Sequence, residues 1–172
     1  MKVFKEQQRF TQLWVIVLII ISVLVPLLIM LSYYLKEDSS IAPSELYSTL
    51  GITVLVSMLI FMFKLNTRID ENGVHYQFFP FHFKLKTIPW KAIDKAYIRK
   101  YNAISEYGGW GLKGGFFWKK SKGTAINVSG DIGIQLELKN GKKLLIGTNQ
   151  EQQAKQVLQN YISKLKTQTH EI

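Results

Sequence analysis

The sequence predicts an α+β membrane protein: a two-helix transmembrane hairpin, then a mainly antiparallel β domain of about seven strands that one carboxyl-terminal helix caps. Two long apolar runs lie within the first 63 residues. Apolar residues then alternate with polar ones, and a stripe of apolar residues at three- and four-residue steps follows residue 150. We therefore divide the chain into an amino-terminal segment with the hairpin, residues 1–63, and a β domain, residues 64–172.

The two apolar runs are long enough to cross a membrane as helices. Residues 13–35 carry no charge over 23 positions and residues 46–63 none over 18. Trp14 and Tyr33 stand near the two ends of the first run, where amphipathic rings settle at headgroup depth. Because neither run contains an ionisable residue, the hairpin is expected to act as an anchor. The serines and threonines in it are expected to bond to the helix backbone.

The distribution of charge predicts the orientation of this hairpin. Lysine and arginine precede the first run, acids dominate the connection between the runs, and 18 of the 22 basic residues lie after residue 63. The positive-inside bias places both termini in the cytoplasm of a multi-pass protein of the cell (plasma or inner) membrane. A cleaved signal peptide is the competing interpretation. The first run is too long for it, and the nearest small-residue site ends at Ala42, before Pro43.

Period-two patterns and turn residues predict the strands of the β domain. Glu71-Asn72-Gly73 and Asn140-Gly141 are predicted to be hairpin turns, since Asn and Gly tolerate the backbone that such turns require. Residues 89–93 predict a single helical turn, and the glycines of residues 108–115 exclude a helix. The expected strands are residues 65–69, 74–78, 83–88, 95–101, 124–128, 132–138 and 142–146, with a further strand piece at 116–118, arranged as an antiparallel meander of about seven.

The last element is predicted to be an amphipathic helix that covers the sheet. Thr148 and Glu151 have the spacing of a capping box. The apolar stripe that should pack on the strands comprises Ala154, Val157, Leu158, Tyr161, Ile162 and Leu165.

This arrangement resembles the bacterial pleckstrin-homology-like (PH-like) domain membrane proteins with an amino-terminal transmembrane hairpin. The segments that carry the resemblance are Arg68-Ile69-Asp70-Glu71-Asn72-Gly73-Val74, Ile88-Pro89-Trp90-Lys91-Ala92-Ile93, Asn140-Gly141-Lys142-Lys143-Leu144-Leu145-Ile146-Gly147-Thr148 and the helix after them. The resemblance implies a PH-like split barrel that acts as a scaffold or adaptor near the bilayer. Pleckstrin domains that bind phosphoinositides use a basic first hairpin loop, whereas the matching loop here is acidic, so that mode of recognition is not expected.

One segment combines basic and aromatic residues as a membrane-contacting surface would. Aromatic rings favour the lipid interface, and each lysine near an anionic leaflet contributes about 1 kcal/mol. The alternative is that the rings fill the core and the lysines form a solvated rim. The residues of this predicted lipid or partner surface are Trp110, Lys113, Phe116, Phe117, Trp118, Lys119, Lys120 and Lys122.

The remaining motifs favour binding over catalysis. The chain has no cysteine, and His75 and His82 are too few for a metal site, so neither a metal nor a cofactor is expected. No catalytic residues are assigned, because no nucleophile or phosphate-loop motif occurs. The net charge of +10 suits nucleic acid, but no recognition motif supports it. We expect a scaffold module that contacts membrane lipid, a protein partner or a second copy. The alternative is an accessory subunit bound to a membrane complex through its hairpin.

Overall fold

The computed structural model describes residues 3–35, 42–114 and 123–169, with side chains up to residue 163. The chain forms two compact units, Phe10–Phe63 and the combination of Met1–Arg9 with Lys64–Ile172. We call the first the hairpin and the second the β domain. This division differs from the predicted one at the amino end, because residues before the first apolar run belong to the β domain.

The hairpin consists of α1 (Leu13–Tyr34) and α2 (Pro43–Met58), and a 3₁₀ turn (Leu59–Met62) extends α2. Both are long and apolar enough to span a membrane by length and composition, although the position of α1 would also suit a signal sequence. Ser22, Ser32 and Thr53 donate hydrogen bonds of 2.7–2.8 Å to carbonyls of the preceding turn, as predicted. These three hydroxyl groups are thereby satisfied by their own helices.

The first sheet of the β domain is antiparallel, with strand order β1-β2-β3-β4. The bounds of its strands are β1 (Phe4–Arg9), β2 (Lys64–Asp70), β3 (Gly73–Phe79) and β4 (Lys86–Pro89). The hairpin turn predicted at Glu71-Asn72-Gly73 is confirmed, with Glu71 and Asn72 as the two turn residues between the paired Asp70 and Gly73. The pattern of β1 alternates between buried and exposed, a strand that the sequence analysis left out.

The second sheet has the order β5-β8-β9-β7-β6, in which β7 and β9 run parallel. The bounds are β5 (Ile93–Lys100), β6 (Gly111–Lys113), β7 (Thr124–Asn127), β8 (Ile132–Leu138) and β9 (Lys143–Gly147). The predicted seven-stranded meander is therefore wrong: the described residues hold nine strands. The short connection at residues 128–131 reverses the chain between β7 and β8, and β8 is antiparallel to β9, so β7 lies parallel to β9.

A carboxyl-terminal helix, α4 (Glu151–Thr169), packs on strands of both sheets. Its predicted stripe is confirmed at Ala154, Val157, Leu158 and Tyr161, which are buried, whereas Ile162 is half-buried and the side chain of Leu165 lies outside the described residues. The predicted turn after β4 is a 3₁₀ helix, Trp90–Ala92. The Trp90 ring stacks on Tyr161, and its indole N–H donates to the Asp70 carbonyl at 2.8 Å.

The entry to α4 is fixed by a residue from the other end of the chain. Glu6 of β1 accepts a 2.6 Å hydrogen bond from the Thr148 hydroxyl and a 2.8 Å bond from the Asn149 N–H. The Thr148 hydroxyl in turn accepts from the N–H of Gln150. Thr148 therefore bonds to the backbone at the entry to α4, at Gln150 and not at the predicted Glu151, and β1 supplies Glu6 as a second cap.

Candidate membrane-facing surface

The structure describes two of the eight residues predicted to contact lipid or a partner. Trp110 is partly buried and packs against the cluster of Tyr101, Ala103, Tyr107, Ala125 and Leu145. Lys113 ends β6 and is half-buried. The other six, Phe116, Phe117, Trp118, Lys119, Lys120 and Lys122, lie outside the described residues. The contacts of Trp110 therefore agree with the alternative interpretation, in which the aromatic rings of this segment pack into the core.

The glycine-rich segment before them is held by close backbone packing. A short helix, α3 (Ala103–Tyr107), ends at Gly108, whose φ of 72° suits a residue without a side chain. The Asn127 carboxamide accepts from the Gly111 N–H and donates to the Tyr101 hydroxyl. A Cβ on Gly114 would lie 2.6 Å from the Cα of Thr124. Gly114 thus lets two backbones approach closely and Gly108 ends a helix, and both are structural roles.

A surface that the sequence analysis missed lies between β3 and β4. We call residues 80–85 the aromatic loop. Its Phe81, Phe83 and Leu85 are 60%, 79% and 44% exposed. The predicted third strand covered part of this segment, but β4 begins only at Lys86, so that prediction was wrong there. The signal was present in the run Phe79-Pro80-Phe81-His82-Phe83, whose aromatic content exceeds what a short connection needs.

Hydrogen bonds from β3 fix the backbone of the aromatic loop. The His82 N–H donates to the Phe78 carbonyl at 2.8 Å, and the Phe78 N–H donates to Nδ1 of His82 at 3.3 Å. Burial and the nearby Lys86 lower the pKa of His82, which keeps Nδ1 unprotonated and able to accept. The Gln77 amide donates to the Phe83 carbonyl at 2.9 Å. The loop is therefore ordered while its apolar side chains face outward.

Ring contacts add to this order. Phe81 stacks on the buried ring of Phe78, with centroids 5.9 Å apart and planes at 12°. Phe83 meets Phe79 edge to face at 6.0 Å. Pairs of this kind contribute about 0.5–1.5 kcal/mol beyond burial. A rigid loop that displays apolar rings loses little conformational entropy when it binds.

A ladder of amides joins the aromatic loop to the first two strands. The Gln7 amide donates to Asn66 at 2.9 Å, and the Asn66 amide donates to Gln77 at 2.9 Å. Gln77 then donates to Phe83, as described above. The ladder crosses the outer face of the sheet from β1 to the loop, so the position of the loop depends on the strand that precedes the hairpin.

The register of the strands puts the aromatic loop at the sheet end that leads into the hairpin. Arg9 pairs with Lys64, and Lys64 pairs with Phe79. Arg9 is followed directly by Phe10, and Lys64 is preceded by Phe63, the two ends of the hairpin unit. Both covalent connections and the aromatic loop therefore leave the sheet at the same end.

This end is also basic. Lys84 and Lys86 are exposed, the Lys64 ammonium lies 5.4 Å from the centroid of the Phe79 ring, and residues 79–86 include no acid. At the opposite end, the Asp70 carboxylate pairs with Arg68 at 2.7 Å and with His75 at 2.9 Å. Burial raises the pKa of Asp70, but its bonds to His75 and to the Asn72 N–H, together with these charges, lower it overall.

Both histidines considered for a metal site are occupied by protein contacts. His75 bridges Asp70 and the Thr87 hydroxyl, and His82 bonds to the backbone of β3. Across the described residues, no group of three His, Cys, Asp or Glu side chains is placed to hold a metal.

Comparison with protein-family models, with curated proteins and with solved structures finds no match to this chain.

Proposed function

We propose that this protein is a membrane-anchored PH-like module at the cytoplasmic face of the cell membrane, where it binds anionic lipid or a protein partner as a scaffold and does not act as an enzyme. The observation that carries the proposal is the antiparallel pairing of β1 with β2, which runs from Phe4 opposite Ile69 to Arg9 opposite Lys64. One of these strands precedes the two apolar helices and the other follows them.

The pairing constrains any passage through a membrane. Two strands of one sheet must lie on the same side of the bilayer, so the chain between them has to cross and return. Two helices of membrane-spanning length satisfy this requirement, with residues 36–42 as the connection on the far side. A cleaved signal sequence does not, because cleavage after α1 would remove β1 and with it Glu6 from the cap of α4.

The charge distribution supports the cytoplasmic side for the β domain. Basic residues flank the hairpin on the side of the sheet, at Arg9 and Lys64, whereas residues 36–45 carry three acids, Glu37, Asp38 and Glu45, against Lys36 alone. The positive-inside rule assigns the basic flanks to the cytoplasm. The PH-like assignment is supported by mainly antiparallel strands in two sheets with one carboxyl-terminal helix packed on them.

A second candidate function, an accessory subunit that binds a membrane complex through its hairpin, is favoured by one observation. Along α2 an apolar groove is lined by Tyr47, Leu50, Gly51, Val54, Leu55, Met58, Leu59 and Met62. A Cβ built on Gly51 meets nothing within 4 Å, and small residues let transmembrane helices approach closely. Gly51→Leu should abolish copurification of a membrane partner if this function is the true one, and leave it unchanged if the β domain binds.

Thiol labelling tests the proposed anchor. The chain has no cysteine, so Ser39→Cys and Lys139→Cys each introduce one reactive site. With an impermeant thiol reagent on intact cells, the cysteine at position 39 should react and that at position 139 should be protected until the cells are opened. Reaction at 139 in intact cells, or release of the protein by alkaline extraction of membranes, would contradict the proposal.

A further inference from the structure

We propose that the aromatic loop, residues 80–85, inserts its exposed side chains into the headgroup region of the cytoplasmic leaflet, and that Lys64, Lys84 and Lys86 contact anionic lipid there. The inference rests on the proposed function, because it requires the hairpin to span the membrane beside the β domain. The proposal assigns the end of the β domain that carries the aromatic loop to the membrane surface.

Exposure and order together distinguish this loop from an ordinary connection. Phe81, Phe83 and Leu85 present apolar surface to solvent while hydrogen bonds and ring contacts hold the backbone behind them. Clustered apolar side chains on a water-facing surface favour an apolar partner. The loop is thus built to bind without rearrangement.

Connectivity identifies the bilayer as that partner. The chain enters the hairpin after Arg9 and leaves it before Lys64, and these residues occupy the same sheet end as Phe79. Only residues 10–12 separate β1 from α1, and only Phe63 separates the 3₁₀ turn from β2. The loop is therefore held at a high effective concentration near the membrane surface, where weak contacts suffice for binding.

Charge agrees with an anionic leaflet. Lys84 and Lys86 flank Leu85, and Lys64 adds a third positive charge at this end. Basic side chains next to a cytoplasmic leaflet are attracted by its negative surface potential. The opposite end of the same strands, at Glu71 and Asn72, lacks this combination and lies about 20 Å away along the seven residues of β2.

Depth-dependent fluorescence quenching on the full chain tests the proposal. Phe83→Cys and, as the matched control, Glu71→Cys are each labelled with an environment-sensitive NBD probe and reconstituted in liposomes of phosphatidylcholine and phosphatidylglycerol. The label at position 83 should emit at shorter wavelength and be quenched by lipids that carry a nitroxide near the headgroup. The label at position 71 should emit as in water and be quenched by iodide present on both sides.

Three results would overturn the insertion. Iodide could quench both labels alike, which means that the loop stays in water. The label at 83 could be shielded from iodide yet insensitive to the nitroxide lipid, which means that a protein or a second copy covers it. Nitroxide lipid could quench both labels, which means that the end of the sheet with the aromatic loop is not the one that preferentially contacts the membrane. The thiol labelling at positions 39 and 139 reports on the anchor separately, so a failed loop is distinguishable from a failed anchor.

The role of the lysines has its own test. In the Phe83→Cys background, Lys84→Gln with Lys86→Gln should reduce nitroxide quenching in the anionic liposomes. The control pair Lys91→Gln with Lys95→Gln removes two exposed charges from another part of the β domain and should leave the quenching unchanged. Equal quenching in the parent and both variants would overturn the contact with anionic headgroups.

Discussion

Asn127 connects the glycine-rich segment to the second sheet. Its side chain is fully buried, accepts from the Gly111 N–H and donates to the Tyr101 hydroxyl at 3.0 Å. Burial raises the pKa of Tyr101 to about 12, with the nearby Asp131 and Tyr107 adding to the effect. The neutral form of this tyrosine is therefore the one that the fold stabilises.

Tyr101→Phe should change how stability depends on alkaline pH. Near neutral pH the variant should lose about 1 kcal/mol of unfolding free energy, because the Asn127 amide loses its acceptor. Between pH 10 and 12 the tyrosine ionises more readily in the unfolded chain than in the folded one. The parent therefore loses up to ~3 kcal/mol over this range, and the variant escapes that loss.

Denaturant unfolding in detergent at pH 8 and pH 11.5 would measure both effects of Tyr101→Phe. Tyrosines distant from Tyr101 titrate equally in parent and variant and cancel in the difference, which reports Tyr101 together with its neighbour Tyr107. A difference in unfolding free energy that stays constant between the two pH values would contradict the shifted titration.

At the scale of elements, α4 depends on the burial of one apolar stripe. Leu158 is 1% exposed, and Gln159 beside it faces solvent. Leu158→Ala should lower the unfolding free energy by about 2–5 kcal/mol through lost burial and an unfilled cavity. Gln159→Ala, the matched control, should change it by less than about 0.5 kcal/mol. Equal thermal midpoints for the two variants would show that α4 does not pack on the sheets.

Elements whose patterns are local were predictable from the sequence. β8 was predicted with its observed bounds, Ile132–Leu138, because alternation over seven residues and the turn after it are encoded nearby. α4 was predictable for the same reason, since its stripe repeats over several turns. The apolar helices follow from composition alone.

Elements that depend on distant partners were not predictable in this way. The partner of β1 is β2, which lies beyond the whole hairpin in the sequence. Because β1 is short and basic, its sequence alone resembles the charged flank of a transmembrane helix. The aromatic loop imitates a strand because Phe83 and Leu85 alternate with lysines. Pairing between β3 and β4 nevertheless stops at Tyr76 and Lys86, and Gln77 bonds to the loop backbone instead.

For the whole molecule, β1 makes the segment before the hairpin part of the β domain. Phe4 is buried, Glu6 caps the entry to α4, and the Gln8 amide donates to the Gly147 carbonyl at 2.9 Å. These contacts link the first sheet, the second sheet and the helix. A β domain that begins at residue 64 lacks all of them.

Replacing the hairpin by a turn should yield a water-soluble β domain. Arg9 and Lys64 are directly paired in an antiparallel register, so residues 10–63 can be exchanged for Asn-Gly, the two-residue connection that such a pair accepts. The shortened chain should unfold in one cooperative transition. A chain of residues 64–172 should aggregate or melt without cooperativity, because Thr148, Asn149 and the edge of β2 lose their partners. If both chains fold with the same midpoint, β1 is dispensable, and the pairing that requires the hairpin to cross and return loses its support.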